Sequence, residues 1–457
     1  MEADLATFDP ERIAALEEVE NERFVAERPR SMALLDRGRS AMPRGVPMAW
    51  MDDLYEHAPV WVTEGKGAYF TDVDGHRYLD MYIADASGFC GHAADPVVGA
   101  VSRRIERGNQ FLLPGEDAIA VAEHLTARYR MPKWQFTSSA THANIEVIRL
   151  ARAMTGRETI LVFDGKYHGE LDATLVVLED GEVVPEMRGL PGWVSGNARV
   201  ISFNDLGALR AALEPADVAV VLAEPAMTNA GFLLPRDGFH DQLRAMTREF
   251  GTLLALDETH SLITSYGGLC ERWELEPDFL VVGKSIAAGV PLGAYGMSDQ
   301  IGALVAPPAE SRVVSGAFVD EVATGGTLFA NALSMAAGHA ALTEVLTEEA
   351  FERTATLGDR MAAGLLTAIE SAGLDWSVVH LGGHAFYFFC AEPPDNAAES
   401  RAADDPDLRA LIRVFMVNRG VWESGWWLGP SVSVAHSADD VDRYVAVFAE
   451  FLDAAQG

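Results

Sequence analysis

Lysine is nearly absent from this chain. Only Lys66, Lys133, Lys166 and Lys284 occur in 457 residues, and arginine supplies the remaining positive charge. Acidic residues outnumber basic ones by 68 to 35, for a formal charge of −33. So acidic a chain lacks the cationic surface that nucleic acid requires, and it does not suit an anionic membrane surface. Cysteine is also scarce. Cys90, Cys270 and Cys390 are odd in number and widely spaced, which gives no disulfide framework and no metal-ligand pattern. They are expected as free core thiols in a reducing cytoplasm. Long hydrophobic runs are missing too. The longest, near residues 216–225 and 252–257, are far too short to cross a bilayer. The opening stretch, MEADLATFDPERIAALEEVE, is acidic and amphipathic rather than signal-like.

What is present describes a globular α/β protein. Apolar residues make up 49% and charged residues 23%, and the length implies two or more structural units. Residues 10–40 read as a helix. YFTDVDGHRYLDMY (69–82) reads as a hairpin turning at Asp74-Gly75. From about 90 to 330, helices alternate with the strand candidates WQFTSS (134–139), TILVFDG (159–165), VAVVLAEP (218–225), TLLALDE (252–258), FLVVGK (279–284) and LGAYGMS (292–298). Gly156 and Gly251 end two of the helices. Several strands are apolar at nearly every position, which marks a sheet covered on both faces. The expected fold is a mostly parallel, doubly wound sheet in a large domain, with its ligand site at the C-terminal ends of the strands. The last third, with HAFYFFC (384–390), reads as a smaller α+β domain. The expected division is 1–75 as an N-terminal segment packing with the small domain, 76–330 as the large domain and 331–457 as the small domain.

Three strand ends carry chemistry. WQFTSSATHAN runs from a strand into a helix. The backbone N–H groups at that helix start, with the hydroxyls of Ser139 and Thr141, form either a phosphate cradle or an ordinary N-cap. LALDETHSL places Asp257 and Glu258 at the end of a buried strand, where a carboxylate either pairs with a cationic ring nitrogen or serves as a helix cap or core ion pair. FLVVGK ends on Lys284. Burying an unpaired ammonium is costly, so this lysine is either solvated or a nucleophile able to form a Schiff base with an aldehyde. Together, cradle, carboxylate and lysine are what pyridoxal 5′-phosphate (PLP) requires. No metal site is expected.

The chain also resembles a known family, the class III aminotransferases of PLP fold type I. The likeness is greatest to the branch of glutamate-1-semialdehyde aminomutase and the β-amino-acid and ω-aminotransferases. It is carried by MPRGV (42–46), DVDGHRYLD (72–80), CGHAADP (90–96), TSSATHAN (137–144), FDGKYHGELD (163–172), EPAMTNAG (224–231), DETH (257–260), EPDFLVVGKSIAAGVPLGAYG (276–296) and GGTLFAN (325–331). The resemblance implies that Lys284 forms the Schiff base and shuttles the proton, and that Asp257 pairs with the pyridine nitrogen. It implies that Ser139, Ala140 and Thr141 hold the phosphate. Tyr167 stacks on the ring beside His168, Glu224 supports the phenolic-oxygen side and His260 lies near that oxygen. Thr327 reaches the phosphate of a neighbouring subunit, so a homodimer is expected. Lys166 is expected to be solvated, and Lys66 and Lys133 to lie on the surface.

The substrate side departs from the family. Where relatives carry a carboxylate-gripping arginine, this chain reads PMAWM (47–51) and SLITSYGG (261–268), with Asn229 where some subgroups have a switching glutamate, and ESGWWLGPS (423–431) offers Trp426 and Trp427. Met48, Trp50, Tyr82 and Phe89 are expected around the substrate, each with core packing as its alternative. A backbone N–H or another arginine, Arg44 being one candidate, is the remaining means of gripping a carboxylate. The expected activity is an aminotransferase acting on a bulky or hydrophobic amine, or an amino acid whose carboxylate is distal or absent, with a carbonyl acceptor such as a keto acid. This argues against glutamate-1-semialdehyde as substrate. The alternatives are an aminomutase, racemase or epimerase on the same scaffold, and a PLP-binding protein without turnover.

Overall fold

The computed structural model describes residues 8–305, 322–423 and 428–457. The chain forms two compact units. The first comprises residues up to Ala94, Glu349–Pro394 and Glu399–Gly457, and the second Asp95–Glu348 with Asp395–Ala398. These divisions fall at 94/95 and 348/349 rather than at the expected 75/76 and 330/331. On the N-terminal side the reason is strand pairing: Arg77–Asp80 pairs in parallel with Val421–Trp422, near the far end of the chain. On the C-terminal side, the helix Ala332–Ala340 packs on the helices Asp95–Ile105 and Glu116–Tyr129.

In the first unit, the hairpin of Tyr69–Asp72 and Arg77–Asp80 forms as expected, with Gly75 at φ 96° in its turn. The stretch read as one helix is two, Pro10–Glu27 and Pro29–Gly38. Pro29 lacks the N–H needed to continue the first helix but is well suited to start the second. Arg28 at the junction is fully buried and bonds Tyr78 and Asn418, at 2.9 and 3.0 Å.

The second unit is built on a seven-stranded sheet. From one edge the order is Lys133–Thr137, Gly293–Met297, Phe279–Val282, Leu253–Asp257, Val218–Ala223, Thr159–Phe163 and Ala198–Ile201. Only Gly293–Met297 runs antiparallel to its neighbours. The strands Val218–Ala223 and Phe279–Val282 are buried at every residue, as their unbroken apolar runs require. The helix Ala140–Thr155 ends at Gly156 in the left-handed conformation, and Phe239–Glu249 ends just before Gly251. The strand Ala198–Ile201 and the hairpin Val176–Glu179/Glu182–Pro185 were not foreseen. No helix among the described residues is long and apolar enough to cross a membrane.

Candidate active site

The strand ends that carried the sequence argument meet in the second unit. Gly283, just before the lysine, is the point of contact. A Cβ added there would stand 3.1 Å from the Cβ of Ala140 and 3.6 Å from Cγ2 of Thr259. Lys284 follows at φ 50°, a left-handed conformation that costs a non-glycine residue on the order of 1 kcal/mol or more. Its Nζ hydrogen-bonds to Nε2 of His260.

Asp257 is 4% exposed and accepts four hydrogen bonds. Its Oδ2 accepts from Nδ2 of Asn144 at 2.8 Å and from Nδ1 of His168 at 3.0 Å. Its Oδ1 accepts from the backbone N–H of Thr259 at 3.0 Å and from the Thr259 hydroxyl. Burial pushes the carboxyl upward, but the bonds from His168, Thr259 and Asn144 outweigh it and hold the group below the ordinary aspartate value. Asp257 is therefore a fixed, buried anion. Nε2 of His168 and Oδ1 of Asn144 are buried without a hydrogen-bond partner among the described residues.

The neighbouring Glu258 does something different. It accepts from the N–H groups of Leu269 and Cys270, at 2.8 and 2.6 Å, and from Ser261 Oγ at 2.8 Å. It caps the short helix Gly268–Arg272 and has no exposed surface. Burial raises its pKa in spite of those bonds.

At the helix Ala140–Thr155, helical geometry leaves the N–H groups of Ala140 and Thr141 without an intrahelical acceptor. Gly169 closes over them, with its missing Cβ position only 2.1 Å from Oγ1 of Thr141. The Ser139 hydroxyl is engaged as the N-cap: it meets Nδ1 of His142 at 2.9 Å and accepts from the His142 N–H at 3.4 Å. Tyr167 is 42% exposed. The unfilled N–H groups, the fixed anion and the lysine fit a phosphorylated pyridine aldehyde. Ala140 and Thr141 would hold the phosphate, Asp257 the ring nitrogen and Lys284 the aldehyde carbon.

Glu224 follows the strand Val218–Ala223 and is 4% exposed. It accepts from the hydroxyl of Thr228 and, at 3.1 Å, from the Thr228 N–H. The same hydroxyl lies 2.7 Å from Nδ1 of His260. Thr228 thus links two residues of the expected site, yet it was not singled out. The signal was available, since it sits within EPAMTNAG directly after a buried strand.

Other expectations fare differently. Thr327 is exposed, and its carbonyl accepts from Gln110. Lys166 is not solvated: its side chain is 4% exposed, and Nζ donates to the Val176 carbonyl at 2.6 Å and to Glu186 at 3.3 Å. Its burial lowers its pKa, with Glu186 opposing. Met48 and Trp50 lie in the first unit and are exposed. Tyr82 and Phe89 are buried in that unit, Phe89 without exposed surface and packed 5.1 Å from the ring of Phe351. Arg44 is paired with Asp53. Trp426 and Trp427 lie outside the described residues.

Residues 51–380 match the family model for class-III aminotransferases. A glutamate-1-semialdehyde 2,1-aminomutase of Anaeromyxobacter dehalogenans is 34% identical over 403 residues, covering 85% of this chain and 89% of the relative. The fold superposes on a glutamate-1-semialdehyde-aminomutase from Pseudomonas aeruginosa PAO1 with a TM-score of 0.92 at 35% identity, over 98% of this chain and 100% of that one. A lysine-to-alanine variant of such an aminomutase from that organism was solved in complex with PMP. An omega-transaminase from Sphaerobacter thermophilus gives a TM-score of 0.86 at 30% identity, over 93% and 98% of the two chains.

Proposed function

Because the chain belongs to the class-III aminotransferase family, we propose that it is a PLP enzyme moving an amino group between a bulky or hydrophobic amine and a carbonyl acceptor such as a keto acid. The observation that carries this reading is Lys284, held beside His260 at the end of a buried strand, with the anionic Asp257 on the adjacent strand. PLP, when bound, supplies the aldehyde and the electron-withdrawing ring. Lys284 would hold the aldehyde carbon and carry the proton of the amine-bearing substrate carbon. Asp257, a buried anion, would hold its negative charge toward the ring nitrogen, a preorganised electrostatic effect strengthened by exclusion of water. The pairing of Arg44 with Asp53 fits a substrate whose carboxylate is distal or absent.

A second reading is an aminomutase that keeps amine and carbonyl in one molecule. The names of the relatives at 34% and 35% identity favour it. The visible absorption of the PLP-loaded protein separates the two. Loss of a Lys284-dependent band on adding donor amines alone supports transamination. A band that no donor bleaches, with rearranged product from a single substrate, supports the mutase. No Lys284-dependent band overturns both.

We also assign the working form as a homodimer. Phe111, Leu112, Leu113 and Leu328 are 52%, 73%, 75% and 61% exposed, and this apolar face adjoins Thr327. A second copy would cover it and bring Thr327 to the neighbouring site. Cys90, Cys270 and Cys390 form no disulfide among the described residues, which suits a cytoplasmic location.

A further inference from the structure

With Glu224 as an anion, the row Glu224, Thr228, His260, Lys284 runs in one direction. Each member is within hydrogen-bonding reach of the next. An ionised carboxylate only accepts, so the Thr228 hydroxyl donates to Glu224. Its oxygen then accepts from His260, which places the imidazole proton on Nδ1. Nε2 is left with a lone pair facing Nζ of Lys284. The arrangement repeats, on different residues, the logic of a carboxylate fixing a histidine so that its other nitrogen serves a nucleophile.

We propose that His260 is the proton acceptor for Lys284, and that Thr228 and Glu224 are positioning residues that hold it in the accepting tautomer. This deepens, and rests on, the reading of Lys284 as the nucleophile. When Nζ attacks a carbonyl carbon, an N–C bond forms, the C=O π pair moves to oxygen and the nitrogen becomes cationic. It sheds one proton to Nε2. The resulting imidazolium keeps its Nδ1 proton on Thr228, with the charge of Glu224 behind it. When Lys284 is released, the same proton returns. Asn229 Nδ2 lies 3.3 Å from Oε1 of Glu224, 3.4 Å from Oγ1 of Thr228 and 3.4 Å from Nδ1 of His260; its two N–H groups are accounted for by the carboxylate and the hydroxyl, which leaves the 2.7 Å contact with Thr228 as the hydrogen bond of Nδ1. Lys284, Glu224 and His260 all belong to the second unit, with Glu224 at 4% and His260 at 6% exposed. The hydrogen bond to His260 also restricts rotation of the amine, which helps aim its remaining lone pair at an incoming carbon.

The test uses the apoprotein and a simple aldehyde. Benzaldehyde is captured on the protein and trapped by cyanoborohydride, and the modified lysine is identified by peptide mass. Four lysines make the readout unambiguous, with the exposed Lys66 and Lys133 as internal references. Capture at Lys284 in His260→Gln should be about a hundredfold slower than in wild type, the lower range for loss of a general base, and imidazole in the buffer should restore part of the rate. Thr228→Val should slow capture, and Thr228→Ser should keep it near wild type. Lys66 and Lys133 should be unaffected in all variants. Wild-type capture rates in His260→Gln, or slowing that imidazole does not relieve, would overturn the proposal. PLP absorbance of the same proteins reports separately on the cofactor. Absence of a Lys284-dependent band in wild type would overturn the PLP reading while leaving the aldehyde result to stand or fall alone.

Discussion

His168 donates through Nδ1 to Oδ2 of Asp257, 3.0 Å away, and this bond fixes the state of both side chains. The carboxylate only accepts, so the imidazole carries a proton on Nδ1. Asn144 donates to the same oxygen at 2.8 Å. Asp257→Asn should keep the fold but lower turnover by about 10²-fold or more, the scale of a lost preorganised electrostatic group. Asn144→Ala should lower stability by about 1.5–3 kcal/mol, the range for a bond to a charged group, in denaturant unfolding. Because the folded pKa of Asp257 lies below its ordinary value, its contribution is present above the unfolded pKa. It is lost as pH falls through the folded value. A wild type and Asp257→Asn pair should therefore converge in stability in acid.

Glu258 should behave as a structural residue despite standing next to Asp257. Glu258→Ala strands two buried N–H groups and a hydroxyl, and the unfolding free energy should fall by roughly 3–5 kcal/mol. Gly268→Ala should also destabilise. Its Cβ would sit 2.6 Å from both carboxylate oxygens of Glu258, at a φ of +68°. If Glu258→Ala unfolded like wild type but lost activity, the capping role would be wrong.

Glu423 provides a pH signature in the opposite sense. It is buried, and Tyr387 and Tyr444 donate to its Oε1 at 2.9 and 3.0 Å. Burial pushes its pKa from 4.5 up to about 7, with the two tyrosine bonds opposing. Between those values the folded state binds the extra proton, so stability is full below pH 4.5 and falls as pH rises through about 7. The shift corresponds to about 3 kcal/mol. Glu423→Gln, which stays neutral, should gain on wild type by that order between pH 5 and pH 8 in urea titrations. An unchanged difference would mean that the carboxyl is ionised throughout.

The apolar face around Leu113 offers a direct test of assembly. Leu112→Asp with Leu113→Asp should convert a dimer to a monomer in sedimentation velocity, with secondary structure unchanged. A wild type already monomeric at working concentration would remove the dimer and the role assigned to Thr327.

Much of this was legible because burial and chemistry coincide along the chain. The run 218–223 is apolar at every position and is a central strand; Lys284 and Asp257 each close such a run. What stayed hidden depended on contacts distant in sequence. Lys166 is flanked by Asp164 and Gly165 and looks solvated, until Val176 and Glu186 fold back over it. The strand Ala198–Ile201 is short and carries Arg199, whose partner Asp217 arrives 18 residues later. Tyr82 and Phe89 are buried, and residue type alone does not separate a pocket wall from a core.

The one antiparallel strand, Gly293–Met297, has a consequence for how the molecule is made. It lies between Phe279–Val282 and Lys133–Thr137, so the strand leading into the cradle helix joins the sheet only through a segment synthesised much later. Until residue 297 has left the ribosome, the strand that feeds that helix has no paired neighbour in the sheet among the described residues, although Asn144 in the helix's first turn can already reach Asp257. The anion-binding end is thus assembled late, through a contact of high sequence separation of the kind that slows folding. A nascent chain truncated before that strand should have no competent cradle, however much of the central sheet it has already formed.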